Sequence, residues 1–251
     1  MNAFGAQTVM EVRRIARNTR FLIFTLLTPL VYYIFFVLAF GDRTSAQGIS
    51  GKAFFLVSMA AFGVIGTALV SFAGRIAAER QRGWFRLLRT TPLPTSAIFG
   101  AKLVAAVLAS IGVVVVLGLA GMVVNGSGLL TADRWLALLL VLVLGSLPFA
   151  ALALVIGYFV EAEVAYSASL GVYFLLAMIG GLFLPLEFMP DAIQKVAVVT
   201  PGYLYAKIGW DLIAGRTAEI WPQAAGLCAY FLAFALIGAI GLRRDEGQTY
   251  R

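Results

Sequence analysis

Six apolar runs, each close to the length needed to cross a bilayer, leave this chain few choices of fold. They occupy residues 21–40, 53–73, 103–124, 135–160, 166–184 and 222–242. A hydrocarbon core about 30 Å thick takes about 20 residues of α-helix to span. Backbone amides in lipid must find partners within their own segment, so each run reads as a spanning helix. Composition points the same way: 12% of residues are charged, against about 25% in soluble domains. The expected fold is an all-α integral membrane protein, six transmembrane helices in a single domain over 1–251.

The longest polar interruption, Arg75 to Lys102, carries six of the nineteen basic residues. On a helical wheel Arg75, Glu79, Arg82, Arg86 and Arg89 step by four, three, four and three, and so share one narrow face. Trp84, Leu87 and Leu88 take the remainder, and the run Thr90 to Pro94 ends the helix. Such a segment lies at the headgroup boundary with a charged ridge toward the aqueous side. An ordinary positive-inside loop would also carry arginines. A topological anchor, however, needs only a few of them beside a span, and this stretch devotes 28 residues and two prolines to a defined shape.

Residues 2–20 place Phe4, Thr8, Val12, Ile15, Ala16 and Thr19 on one side of a helix and Arg13, Arg17 and Arg20 on the other. This pattern predicts an N-terminal amphipathic elbow helix at the interface. Within the spans, Pro29 and Pro148 are expected kinks, and Gly63 and Gly66 are expected points of close helix contact. Pro185 to Trp221 is too polar to span and too apolar for a solvated loop. Pro190 can open a short helix, Thr200-Pro201-Gly202 makes a turn, and a second helix ends at Gly215; the reading is an extracellular, re-entrant helical hairpin between the fifth and sixth spans.

Counting by side, thirteen basic residues fall with the N-terminus, the long loop and the C-terminus, and six fall on the other face. Acidic residues divide six and six, so the whole net charge of +7 lies on one side. The positive-inside rule makes that side cytoplasmic, with both termini inside. Charge distributed in this way follows topology and does not call for nucleic acid.

The chain has no histidine and one cysteine, Cys228. Histidine-based acid–base catalysis, a structural disulfide and a zinc site are therefore outside its means, and no catalytic or metal-binding residue is expected. No phosphate-cradling glycine loop ending in Gly-Lys-Ser/Thr occurs, so ATP would have to be bound by another chain. The spans as delimited above contain no ionisable residue, which argues against ion coupling.

Two blocks resemble the ABC-2-type permease family, the membrane subunits of many bacterial drug, polyketide and polysaccharide exporters. Glu79, Gly83, Leu88, Pro92 and Lys102 are similar to its pattern in the first cytoplasmic loop; Leu184-Pro185, Met189-Pro190 and Pro201 are similar to its pattern after the fifth span. One departure is Trp210-Asp211, where the family often has an arginine. The resemblance implies a transport subunit in the bacterial plasma membrane, not an enzyme. It implies two permeases, alike or different, above two ABC ATP-binding subunits that hold ATP and Mg. The helix bearing Glu79, Arg82, Gly83, Arg86 and Arg89 would be the coupling helix. Spans two and five would line the pathway, with Phe62, Phe72, Tyr173, Phe174 and Met178 as candidates; each of these is equally read as packing or lipid-facing bulk.

The hairpin bearing Pro185, Pro190 and Pro201 would cap the pathway outside. A lid there, with aromatics and small residues below it, favours outward release of a hydrophobic or amphipathic compound such as a drug, antibiotic or lipid-like metabolite. The competing classes are an ion-coupled carrier or channel without an ATPase, and an intramembrane enzyme, for which paired aspartates or a metal cluster would be needed.

Overall fold

One helix is the axle of the bundle. In the computed structural model, which describes residues 3–41, 43–44, 48–83, 95–125 and 130–247, helix α3 runs from Gly51 to Gln81. Around it lie α1 (Ala3–Ala16), α2 (Thr19–Phe40), α4 (Thr95–Asn125), α5 (Ala132–Leu144), α6 (Leu147–Phe159) and α7 (Ala162–Ile179). After these come two short helices, α8 (Asp191–Ala197) and α9 (Pro201–Ala214), and the long α10 (Ile220–Gly247). Among the described residues there is no strand, only an isolated bridge between Thr44 and Ser50.

The axle is central because its side chains are small where neighbours must approach. Lipid supplies no hydrophobic drive between helices, so close backbone approach and van der Waals packing hold them together. Helices α2, α4, α6 and α7 all pack on α3, and 89% of its most apolar window is buried. A Cβ on Gly66 would stand 2.8 Å from the Tyr173 ring, and one on Gly63 2.6 Å from Val113 Cγ1. These two glycines let α7 and α4 close on the axle.

Among the described residues, five helical stretches are long and apolar enough to cross a membrane: Gly51–Gln81, Gly100–Val124, Ala132–Phe159, Ala162–Ile179 and Thr217–Leu242. In α2 a shorter apolar stretch, Thr25–Phe40, falls below that length. The third of the five, Ala132–Phe159, is two helices with a break at Gly145-Ser146, and Pro148 sits in the first turn of α6, where its missing N–H costs nothing. The Tyr205 hydroxyl donates to the Leu142 carbonyl at 2.5 Å, satisfying an acceptor that the break frees.

The main differences from the sequence reading are three helix ends and one helix face; α4 begins at Thr95, eight residues before the third apolar run. Arg75 to Gln81 are the last turns of α3, not a separate surface helix, because Ile76, Ala77 and Glu79 are buried; residues 84–94, with Trp84, Arg86, Arg89 and the Thr-Thr-Pro-Leu-Pro run, lie outside the described residues. The fifth span stops at Ile179, since Gly181 takes φ +75 and turns the chain. In α1 the inward face is Gln7, Glu11 and Ile15, while Phe4 and Met10 are exposed. Its polar side points inward because it lands on charged groups at the ends of α3 and α4.

The segment after α7 is built by its prolines. Pro190 precedes α8; Thr200 Oγ1 accepts from Tyr203 N at 3.3 Å, and Pro201 opens α9. Gly215, at φ +78, ends it in the left-handed conformation that costs glycine nothing. Trp210 docks α9 on the first turns of α3. Its ring stacks on Phe54 at 4.7 Å, and Nε1 donates to the Phe54 carbonyl at 3.3 Å and Ser58 Oγ at 3.2 Å.

Candidate functional site

At the far end of the axle, three helices meet in a buried knot of charge. Glu79, near the end of α3, is 6% exposed and Lys102 of α4 is 3% exposed. Lys102 Nζ donates to Glu79 Oε2 at 2.7 Å and to Glu11 Oε1, on α1, at 2.8 Å. Arg14 donates to the other Glu79 oxygen at 2.5 Å. Arg75 Nη1 and Glu11 Oε2, both buried without a hydrogen bond, stand 3.7 Å apart. The Arg75 guanidinium also lies over the Phe72 ring. Two carboxylates are thus held by one fully enclosed ammonium and two flanking guanidiniums.

The next residue reaches the opposite way. Arg80 donates to the Tyr158 carbonyl and, at 3.0 Å, to the Val160 carbonyl, occupying acceptors that the end of α6 leaves free and matching the negative end of its dipole. Glu79 and Arg80 therefore tie one turn of α3 to α1 and α4 on one side and to the α6–α7 corner on the other. Arg82 caps α3 and is exposed, and Gly83 follows at φ +70. These lead into the undescribed residues that hold Arg86 and Arg89.

The sequence-predicted pathway residues divide. Phe62 and Tyr173 stack at 4.4 Å, and Phe174 packs on both at 5.9 and 5.1 Å. Tyr32 and Phe183 complete an aromatic cluster around Phe62. Beside it, Thr25, Thr28, Gly66, Tyr166, Tyr173 and Phe174 help line a groove of about 220 Å³ between α2, α3 and α7, which has no charged side chain among its described lining residues. Met178 is exposed one turn further along α7, in an adjoining apolar groove. Phe72 is not with them: it is 2% exposed and lies beside Arg75.

The three prolines bracket the segment outside α7: Pro185 begins a short 3-10 turn, Pro190 precedes α8 and Pro201 opens α9. The segment's charges form their own network. Asp211, fully buried, takes Lys207 at 2.7 Å and Arg216 at 2.9 Å. Burial opposes the charge on Lys207, but hydrogen bonds to Asp211 and Glu219 outweigh it and hold the ammonium above its usual pKa. Asp211, the departure noted in the sequence, is therefore a structural anion beside Trp210.

Sequence reasoning missed Glu11 as a partner of Glu79, and missed the opposed reach of Arg80. Glu11 carried a signal: a lone carboxylate in a basic helix, four residues from both Gln7 and Ile15, which are buried with it.

Comparison with known proteins gives the family. The family model described as ABC-2 type transporter matches residues 2–209. The "Putative transport permease YvfS" of Bacillus subtilis (strain 168) is 30% identical over 246 residues, covering 98% of this chain and 99% of that protein. The chain belongs to the ABC-2 type transporter family. It is a multi-pass membrane protein and a permease subunit rather than an enzyme.

Proposed function

We propose that this permease works in a bacterial plasma membrane as half of a pair of permeases above separate ABC ATP-binding subunits, and exports a hydrophobic or amphipathic compound. The observation that carries the cargo class is the uncharged groove at Phe62, Tyr173 and Phe174. Its rings and the hydroxyls of Thr25, Thr28 and Tyr173 suit a molecule that exchanges hydration for aromatic contact and keeps a few hydrogen bonds. The six-span topology, with α2 as the first span and both termini cytoplasmic, follows from the basic asymmetry. The segment from Pro185 to Gly215 closes the outer end, and Met178 and Phe72 flank the route without lining the same groove.

Coupling runs through the end of α3. A helix of 31 residues is about 46 Å long, well beyond the hydrocarbon core of about 30 Å. Glu79 accordingly lies at the aqueous boundary and not at mid-membrane. That depth, and its pairing with Lys102, suit a mechanical joint better than the ion-carrying carboxylate of a coupled carrier. In this role Arg82, Gly83, Arg86 and Arg89 form the surface that meets the ATPase, and buried Glu79 hands its displacement to α1 and α4.

The test is deletion of this gene together with that of its ATP-binding partner, followed by intracellular retention of a panel of apolar and amphipathic antibiotics. Raised retention of some members, reversed by both genes and not by one, is expected. Unchanged retention of every compound together with lost uptake of a polar nutrient would overturn both direction and cargo class.

A further inference from the structure

We infer that the pocket lined by Met10, Arg13, Arg14, Arg17, Asn18 and Arg75 is a binding site for the headgroup of an anionic phospholipid. It is a wide, open pocket of about 680 Å³ at the corner where α1 meets α2 and the end of α3. Four of its six lining residues are arginines. Counting the adjoining knot, five cations (Arg13, Arg14, Arg17, Arg75 and Lys102) face two carboxylates, Glu11 and Glu79. Lys102 and Arg14 already take those carboxylates at hydrogen-bond distance, whereas Arg13 and Arg17 are exposed and have no carboxylate in ion-pair range among the described residues. Arg75 Nη1 is buried and already paired with Glu11 Oε2 at 3.7 Å, so the guanidiniums free to grip a ligand are those of Arg13 and Arg17.

Unspent guanidinium donors around an open pocket are the chemistry that grips a phosphate, because the planar fork offers paired N–H groups to its oxygens. Helix α2 begins at Thr19, directly after Asn18, and adds the positive end of its dipole at the pocket's edge. The surroundings choose a lipid over a free anion. Met10, at the rim, is 58% exposed, and Ile23 and Leu27 just beyond the corner are each 51% exposed. A ligand with its phosphate among the arginines would lay acyl chains along these side chains, at the depth where juxtamembrane basic residues meet headgroups. A bound headgroup would hold α1 against α3 and so brace the Glu79 knot from the membrane side.

The experiment uses the purified full chain in neutral detergent, with thermal unfolding followed against added phosphatidylglycerol, phosphatidylcholine or inorganic phosphate, and native mass spectrometry counting retained lipids. Phosphatidylglycerol should raise the melting temperature and remain bound, and the other two should not. Arg13→Gln with Arg17→Gln, both on exposed side chains, should weaken its apparent affinity about 30-fold, at about 1 kcal/mol for each basic residue near the surface. Lys195→Gln, on the opposite end of the molecule, should leave that affinity unchanged. Equal stabilisation by both lipids, full stabilisation by inorganic phosphate, or an unaltered preference in the double variant would each overturn the assignment. So would loss of lipid binding when the ATP-binding subunit is present, which would give the pocket to that partner.

Discussion

The axle carries an ion network at each end, and the two are built on opposite principles. Around Asp211 every partner is local: Lys207 is four residues before it, Arg216 five after, and Glu219 eight after. Around Glu79 the partners lie 65 and 23 residues away, and Lys102 reaches a further 91 residues to Glu11. A local network stiffens the element that contains it. A long-range one makes three helices move together, because displacing any of them strips a buried charge of its partner. On the proposed function, the end that binds itself is the lid and the end that binds its neighbours is the joint.

Removing one member should expose the difference. Lys102→Ala leaves two buried carboxylates sharing only flanking guanidiniums, and should destabilise the chain by about 3–5 kcal/mol, read as a collapse of its melting temperature in detergent. Asp211→Asn should cost less, about 1.5–3 kcal/mol, because Lys207 and Arg216 can swing toward solvent and Glu219. Smallest should be Arg216→Ala, below about 1 kcal/mol, since Arg216 is a third exposed and Lys207 still serves Asp211. If Lys102→Ala and Arg216→Ala cost the same, the contrast between joint and lid is void.

Much of the helical layout was legible, and for physical reasons. Lipid forces the backbone into helices, so apolar length alone locates the membrane-crossing parts of α3, α4, α7 and α10, although it ends α3 eight residues early and starts α4 eight residues late. Proline and glycine chemistry locates Pro148, Pro190, Pro201 and Gly215. The joint was harder to see because its residues are far apart and locally unremarkable. A wheel drawn on Arg75 to Arg89 sees charges on one face and assigns that face to water. Only the arrival of Glu11 and Lys102 from other helices makes burial of Glu79 affordable. The aromatic cluster falls between: its rings were individually visible, but which of them meet depends on Gly66 admitting Tyr173 to the axle and on Phe183 folding back after the turn at Gly181.

The central claim is that the end of α3 converts ATP hydrolysis by a separate subunit into movement of the bundle. Its most direct test is proteoliposomes holding this chain and its ATP-binding partner, in which transport and hydrolysis are measured together for the parent and for Glu79→Gln. The substitution keeps the shape but turns one acceptor oxygen into an NH2 donor, so only one of the two hydrogen bonds from Arg14 and Lys102 survives, and the charge that holds both is gone. Hydrolysis should persist while transport per ATP falls about tenfold, within the range of coupling free energies of about 1–3 kcal/mol. Transport by the chain without the ATPase, or an unchanged ratio of transport to hydrolysis in Glu79→Gln, would contradict it.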